Sequence, residues 1–266
     1  YKRQEYLLKW IAEYFNKKFG AEKFECVAHN SSHVNLLQKA FGVSEYTHVP
    51  HHDCHAWSSL CQSDDNKALV FSFDGGSDNG FFNVYIGDKK KKIVKHIGAN
   101  DYDFAIPYML SAHYCEEIRQ EDINWGNMVY AGKIMGLSAY GEIDKDLYEK
   151  LSEFYKNTKK DDINACYERY QKEVGISSRL PGIKNLARTN QHVFEDLFEE
   201  VAKPYLDKYP DLPVHIVGGC GLNILNNSRL RKNRKVFVSP NTNDTGIAVG
   251  AICSILKPNK IDVTYK

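Results

Sequence analysis

The segment ALVFSFDGG, residues 68–76, constrains the fold more than any other part of the sequence. Its uncharged run predicts a buried strand that closes on an acid and two glycines. The pattern returns later, where PVHIVGGCG at 213–221 predicts a strand and a glycine turn, and RKVFVSP at 234–240 predicts another strand. A helical pattern follows each of these two strands, so ligand groups should gather at the carboxyl edge of a sheet. The sequence therefore predicts an α/β fold with its site at that edge.

The other segments fit the same class. The spacing of apolar residues predicts a helix over 3–19, and capping residues predict a second helix through Leu36, Leu37 and Phe41. Extended segments are expected at 24–29 and 46–50, with a further helix from Pro50, a hairpin over 81–98 whose turn is the lysine run 89–92, and a final helix within 241–256. The part between 107 and 210 is predicted to be mostly helical, with a glycine-rich interruption at 132–141.

Composition excludes several classes of function. Lysine and arginine number 35 against 34 acids, so no strong field attracts nucleic acid, and nucleic acid is not an expected partner. No apolar run approaches the roughly 20 residues of a membrane span, and the first residues lack the core of a signal peptide. We therefore expect a cytoplasmic protein without membrane association. The 7 cysteines form no CxxC pair, which favours reduced thiols.

HHDCHAWSS, residues 51–59, places three histidines, an aspartate and a cysteine within five positions and then turns apolar. His51 and His55 are four residues apart, so on a helix they share one face and could bind one metal ion. Asp74 and Asp244 each stand at a turn between an apolar segment and a glycine and could add carboxylates. The spacing leaves the alternatives open, because such histidines are often ordinary core residues and such acids are often caps. Cys54 lies beside the histidines, but no arrangement that would activate it as a nucleophile is visible.

Two glycine-rich segments could approach an anion. GGCGLN at 218–223 would present backbone N–H groups at a helix start, although it is neither a Walker loop nor GxGxxG. Lys133 lies in GKIMGLSAYG at 132–141, where it is suited to reach an anion. A tight turn without a ligand is the alternative for both segments.

Taken together, these pieces resemble one family: the carbamoyltransferases of the NodU nodulation-protein and antibiotic O-carbamoylation type, whose catalytic domain is similar to Kae1. The resemblance is carried by five motifs in order, which are HHDCHA at 51–56, FDGGSD at 73–78, GKIMGLSAYG at 132–141, VGGCGLNILNN at 217–227 and VSPNTNDTGIAVGA at 238–251. One departure is Ser77, which stands where the family commonly has glycine.

The resemblance implies an actin-like, sugar-kinase-type ATPase (ribonuclease H-like) fold with two lobes around a nucleotide cleft. Residues 1–66 would be the remaining part of the first lobe. Residues 67–266 would form the second lobe, with a helical insertion at about 107–210 and a final helix that packs back on the first lobe. The first strands of the N-terminal lobe and a C-terminal domain of a longer chain would be missing, so we expect a fragment, or else a chain that works with a partner.

The resemblance also implies an activity. A carbamoyl group would pass from carbamoyl phosphate, through a carbamoyl-adenylate formed with ATP, to a hydroxyl of a small molecule or sugar. Iron, or another divalent transition metal, would be held by His51, His55, Asp74 and Asp244. His52 would orient the carbamoyl group or accept the hydroxyl proton, and Lys133 would offset negative charge. The nucleotide would contact Gly75, Gly76, Gly132, Gly218, Gly219, Gly221 and Asn223.

Two alternatives remain open from the sequence. One is Kae1-like transfer of threonylcarbamoyl to tRNA, which the near-neutral charge argues against only weakly. The other is a non-catalytic nucleotide-binding module, which the missing segments and Ser77 make plausible.

Overall fold

The computed structural model describes residues 2–19, 27–29, 39–41, 46–77, 80–114, 129–158, 163–174 and 182–262. Some of the sequence predictions lie outside these ranges: the first half of the predicted strand 24–29, the helix positions Leu36 and Leu37, and Asp78 of the FDGGSD motif.

Seven strands form two sheets in the described part of the chain. They are β1 (Val27–His29), β2 (Tyr46–His48), β3 (Lys67–Ser77), β4 (Gly80–Asp88), β5 (Ile93–Asn100), β6 (Val214–Val217) and β7 (Val236–Val238). β1 and β2 pair in parallel, and the other five strands form a sheet in the order β5-β4-β3-β6-β7. β4 runs antiparallel to both of its neighbours, whereas β3, β6 and β7 are parallel. The predicted α/β class and the 81–98 hairpin with its lysine turn are confirmed.

Nine helices lie in the described part of the chain. They are α1 (Lys2–Phe19), α2 (His51–Gln62), α3 (Ile106–His113), α4 (Val129–Leu137), α5 (Lys145–Asn157), α6 (Ile163–Glu173), α7 (Ile183–Lys208), α8 (Ile224–Arg231) and α9 (Ile247–Leu256). Short 3-10 turns lie at Ser138–Tyr140, Gly219–Leu222 and Asp244–Gly246. The helices predicted at 3–19, from Pro50 and before residue 257 are therefore confirmed.

β3 separates two layers of helices because its side chains alternate between the faces of the sheet. Phe71 and Phe73 pack on one face against α7, where the ring centroids of Phe73 and Phe198 are 5.3 Å apart. Ala68 and Val70 pack on the other face against Ala56 of α2. Both faces are buried, which explains why the β3 sequence carries no charge from residue 68 to residue 73.

Residues 132–141 do not interrupt the helical part as predicted. Residues 129–137 form α4, and a 3-10 turn continues the chain to Tyr140. Gly132 and Gly136 occupy exposed helix positions, whereas Ile134 is buried in the core. Burial of that apolar side chain outweighs the low helix propensity of the two glycines, which costs about 1 kcal/mol each.

The last helix packs along α2, and α2 in turn lies on the five-stranded sheet. Residues 51–62 thus share a packed core with residues that follow residue 66. The division into two lobes at residue 66 remains a prediction.

Candidate metal centre

α2 presents His51 and His55 on one face. Pro50, with φ of −53°, stands at the N-cap, and the helix begins at His51. Residues four apart on a helix are neighbours, and the two Nε2 atoms lie 3.1 Å from each other. Two unprotonated imidazole nitrogens at this distance would repel, so the pair needs a proton or a cation between its lone pairs.

Asp74 reaches the histidines from the end of β3. The β3–β4 ladder is irregular between Phe73 and Ser77, so the strand departs from regular pairing at this acid. Two glycine amides hold its carboxylate: Gly75 N–H donates to Oδ1 at 2.7 Å, and Gly219 N–H donates to Oδ2 at 2.8 Å. Asp74 Oδ2 lies 3.3 Å from His55 Nε2 and 3.6 Å from His51 Nε2.

Asp244 comes from the 3-10 turn that precedes α9. Its Oδ1 lies 3.5 Å from His51 Nε2 and 3.6 Å from His55 Nε2. The Asp244 side chain is 67% exposed, whereas that of His55 is 1% exposed. Water therefore reaches the cluster on the Asp244 side.

The four ligand atoms fit one transition-metal ion. All of them lie within 4.8 Å of one another, and the distances given above run from 3.1 to 3.6 Å. Ligands placed about 2.1 Å from an ion in a tetrahedral arrangement are about 3.4 Å apart. Two imidazole nitrogens with two carboxylate oxygens suit zinc, iron or another first-row divalent ion better than calcium or magnesium.

The electrostatics of the cluster favour a cation. Burial opposes protonation of His55, but hydrogen bonds to Asp244 and Asp74 raise its pKa above the usual value. Burial likewise opposes ionisation of Asp74, but the contacts with His51 and His55 hold its pKa well below the usual range. The Asp74 carboxylate thus stays ionised and favours either a proton on His55 or a metal ion beside it.

His52 points away from this cluster. Its Nε2 lies 3.0 Å from the Gly80 carbonyl oxygen, which can only accept, so Nε2 carries the proton and Nδ1 accepts from the Ser72 hydroxyl at 2.8 Å. Burial lowers the pKa of His52 to about 4, although the Gly80 carbonyl opposes that shift. His52 is therefore neutral and engaged on both nitrogens in this structure, and its catalytic role remains a prediction.

The glycines of the two strand-end turns are held in place by close contacts. Gly218 has φ of +89°, and a Cβ there would lie 2.1 Å from the Phe73 carbonyl oxygen. Gly76, in the turn after Asp74, has φ of +99°. In the other turn, a Cβ at Gly221 would lie 3.0 Å from the side chain of Ile216. With Gly75 and Gly219 beside Asp74, these positions bring two backbone turns together at the carboxyl edge of β3 and β6.

Asn223 serves the fold directly. Its side-chain oxygen caps α8 by accepting from the Asn226 N–H at 3.0 Å, and its amide exchanges two hydrogen bonds of 3.0 Å with Gln191. Tyr108 donates to the same Gln191 at 2.6 Å. This buried network could not be predicted from the sequence, because Gln191 stands in an unremarkable helical pattern.

Lys133 and Gly132 lie on α4 and are exposed. Apart from its chain neighbours and the backbone of its own helix, no described atom lies within 4 Å of a Cβ built at Gly132. No hydrogen bond or ion pair within the described ranges links either residue to the four-residue cluster, so their nucleotide and charge-stabilising roles remain predictions. Cys54 is buried and donates to the Val49 carbonyl oxygen at 3.5 Å, which suits a packing role.

One buried acid was not foreseen. Asp103 is 0% exposed, and its Oδ1 accepts from the N–H groups of Ala105 at 2.8 Å and Ile106 at 3.0 Å. Its Oδ2 has no hydrogen-bond partner among the described residues. Burial raises the pKa of Asp103 to about 7. The DYDF context at 101–104 signals only a turn, so no local pattern indicates this burial.

Fold and site together define a mixed α/β domain that gathers two histidines and two aspartates at the carboxyl edge of its sheet. Within the described ranges, no helix is both long and apolar enough to cross a bilayer.

Comparison with known proteins then gives the family. Residues 4–253 match the model of the carbamoyltransferase N-terminus, so the chain belongs to this family. It is 25% identical over 258 residues to nodulation protein U of Azorhizobium caulinodans, covering 85% of this chain and 45% of that protein. With nodulation protein U of Sinorhizobium fredii the identity is 25% over 252 residues, covering 84% and 43%. The chain thus spans less than half the length of these relatives.

Solved structures agree on the fold. Full-length HypF in a phosphate- and nucleotide-bound form has a TM-score of 0.51 and 16% identity, with 92% of this chain and 48% of that chain covered. HypF of T. kodakarensis has a TM-score of 0.52 and 13% identity, with 92% and 42% covered.

Proposed function

We propose that this chain is the catalytic domain of an O-carbamoyltransferase. It would transfer a carbamoyl group from carbamoyl phosphate, by way of a carbamoyl-adenylate formed with ATP, to a hydroxyl of a small molecule or sugar. The observation that carries the proposal is the convergence of four metal-ligating atoms beside two glycine turns. Membership of the carbamoyltransferase N-terminal family supports the reaction class.

The proposal includes iron as the ion and His51, His55, Asp74 and Asp244 as its ligands. When bound, such an ion supplies a Lewis acid for phosphate or carbamoyl oxygens. The exposed side of the cluster at Asp244 leaves room for those oxygens, and the three less exposed ligands hold the charge in place. The glycine amides of Gly75 and Gly219 orient the Asp74 carboxylate, as outer groups commonly do at metal sites.

Substrate binding is proposed at the two glycine turns. Gly218, Gly219 and Gly221 lie in a glycine-rich turn before α8, and a backbone without Cβ atoms lets a nucleotide come close. Their N–H groups donate to the Thr242 carbonyl oxygen, to Asp74 and to the Gly218 carbonyl oxygen, so the proposed contacts use the glycine backbone surface. Gly75, Gly76 and Gly132, with Asn223, complete the proposed nucleotide contacts. Full-length HypF, which shares this fold, has been solved with phosphate and nucleotide bound, and this supports a site of the same kind.

His52 and Lys133 are proposed to act on the carbamoyl group and on the developing charge. His52 would have to exchange its Ser72 contact for the substrate, because both of its nitrogens are engaged. Lys133 is exposed and would have to reach the anion from α4. We further propose an actin-like ATPase fold, with residues 1–66 in its first lobe and residues 67–266 in its second, and the mixed sheet with its antiparallel strand β4 supports this proposal.

The metal site can be tested apart from the reaction. Purified chain is loaded with Fe(II) under anaerobic conditions, and bound metal is counted by elemental analysis. We expect about one ion per chain in the wild type and a large loss in His55→Ala, with unchanged far-UV circular dichroism. His192→Ala is the matched control, because His192 lies on α7 beside Asp196 and outside the cluster. Full metal content in His55→Ala would refute the ligand assignment.

The reaction is tested with the purified protein. Release of pyrophosphate from ATP should depend on carbamoyl phosphate, and labelled carbamoyl should appear on a hydroxyl compound of a cell extract. His55→Ala should abolish the label transfer, and His192→Ala should not. Transfer of label to tRNA instead would favour the Kae1-like alternative, and tight ATP binding without turnover would favour a binding module.

A further inference from the structure

The backbones of α2 and α9 touch at one glycine. A Cβ built on Gly250 would lie 1.7 Å from the Cys54 carbonyl oxygen, 2.4 Å from its carbonyl carbon and 2.8 Å from its Cα. These are backbone atoms in the middle of a helix, and they cannot rotate aside as a flexible side chain can. Any side chain at Gly250 must therefore push the two helices apart.

This contact bears on the metal centre, because the two helices carry different parts of it. His51 and His55 belong to the first two turns of α2. Asp244 belongs to the 3-10 turn Asp244–Gly246, which continues directly into α9. The position of Asp244 relative to the histidines therefore depends on how closely α9 approaches α2, and on the C-terminal end of β6, to which Thr242 is bonded.

Asp244 also lacks the packing that fixes the other three side chains. Its side chain is 67% exposed, against 16% for Asp74, 11% for His51 and 1% for His55. Few side-chain contacts can therefore correct a displaced Asp244, and its backbone determines where the carboxylate lies.

The loop before this turn is tied to the far end of α2. Gln62 donates from Nε2 to Asn241 Oδ1 at 2.7 Å and to Ser239 Oγ at 3.0 Å. The loop is thus anchored at one end of α2, and the Gly250 contact sets the spacing nearer the other end.

We propose that Gly250 is a positioning residue of the metal centre. Its missing side chain lets α9 come close enough to α2 for Asp244 to complete the ligand set with His51, His55 and Asp74. The proposal rests on the proposed function, in that it takes these four side chains to hold a metal ion.

The size of the effect follows from the contact. Contacts of a Cβ shorter than 3.0 Å are essentially never observed, so alanine at Gly250 requires α9 to retreat by about 1.3 Å from the present 1.7 Å. Metal–ligand distances tolerate only about 0.2 Å. Since Asp244 stands six residues before Gly250 at the start of the same rigid segment, its carboxylate should leave the ion.

The test measures metal affinity. The chain is titrated with Co(II) against a competing chelator, and the visible absorption of Co(II) reports its coordination. We expect Gly250→Ala to bind about 10- to 100-fold more weakly and to show the spectrum of Asp244→Ala. Gly136→Ala is the matched control. Gly136 is an exposed helical glycine, and apart from its own helix no described atom lies within 4 Å of its Cβ position. This variant should bind Co(II) within about twofold of the wild-type affinity.

A double-mutant cycle separates positioning from general damage. If Gly250 acts through Asp244, the variant with both Gly250→Ala and Asp244→Ala binds no more weakly than Asp244→Ala alone. Asp244→Glu, whose carboxylate reaches one methylene further, should restore part of the affinity in the Gly250→Ala background. Additive losses, or wild-type affinity in Gly250→Ala, overturn the proposal.

Three further outcomes decide between the proposals. If Gly250→Ala does not fold, Gly246→Ala replaces it. A Cβ at Gly246 would lie 2.2 Å from the Asn241 carbonyl oxygen, in the turn that carries Asp244. Unchanged Co(II) affinity in Gly246→Ala overturns the proposal. If the wild type binds no metal, the metal site of the proposed function fails, and the positioning role fails with it. Wild-type binding together with an unaffected Gly250→Ala removes only the positioning role.

Discussion

Replacing Asp103 by asparagine should change how the stability of the domain depends on pH. The Asp103 carboxyl is fully buried, and it uses one oxygen to accept from two backbone N–H groups at the start of α3. Asparagine keeps an oxygen for those N–H groups but cannot ionise. The substitution therefore removes the charge while preserving the contacts of Oδ1.

The magnitude follows from the pKa. Burial raises the pKa of Asp103 from 3.8 to about 7 in the folded chain. Below pH 3.8 the carboxyl is neutral in the folded and in the unfolded chain, so it does not lower the free energy of unfolding. As pH rises the unfolded chain ionises first, so folding loses stability progressively until the folded group ionises near pH 7. The full loss is about 4 kcal/mol, of which about 2–3 kcal/mol falls between about pH 5 and about pH 8.5.

The assay is urea denaturation followed by circular dichroism at several pH values from about 5 to about 8.5. As pH rises across this range, the free energy of unfolding of Asp103→Asn minus that of the wild type should increase by about 2–3 kcal/mol. A fixed offset is allowed, because the new amide nitrogen lacks a partner at every pH. Asp65→Asn is the control: bonding to His215, then to Lys235, lowers the pKa of Asp65 to about 2, so its stabilisation is lost only below about pH 4. Parallel curves for wild type and Asp103→Asn would contradict the reasoning.

Three other predictions concern the site. Gly218→Ala combines a φ of +89° with a Cβ 2.1 Å from the Phe73 carbonyl oxygen, so it should lower the free energy of unfolding by more than about 2 kcal/mol; an unchanged urea midpoint would count against this. Asn223→Ala removes the α8 cap and the pairing with Gln191, and should cost about 1–2 kcal/mol in the same assay, whereas a loss below about 0.5 kcal/mol would show that the cap is dispensable. A divalent transition metal at about 100 times its dissociation constant should raise the free energy of unfolding of the wild type by about 2.7 kcal/mol, and a chelator should reverse this gain. An equal gain in the free energy of unfolding of Asp244→Ala would be incompatible with the ligand set.

The strands could be predicted because their signals are local. The charge-free run of β3 reflects burial on both faces, and the lysine run marks the hairpin turn. The prediction for α4 was wrong because three glycines within ten residues suggest a break, whereas the burial of Ile134 depends on helices far away in the chain. Asp103 was missed for the same reason, since the helices that bury it leave no trace in the residues around it.

The site was predictable only in part. The spacing of His51 and His55 indicates a shared helix face, but the same spacing suits ordinary core histidines. The convergence with Asp74 and Asp244 was foreseen through the resemblance to a family and not from spacing. No local pattern could reveal that α9 lies against α2 at Gly250, because that contact joins distant parts of the chain.

The docking of α9 on α2 also has a consequence for biosynthesis. A nascent chain leaves the ribosome from its N-terminus, so the two histidines emerge early and wait for a carboxylate that is made about 190 residues later. Until the last helix docks, the growing polypeptide offers only three of the four side chains and should release any ion it captures. Loading would then follow the synthesis and docking of α9, and the cellular metal pool at that moment would decide which ion is kept.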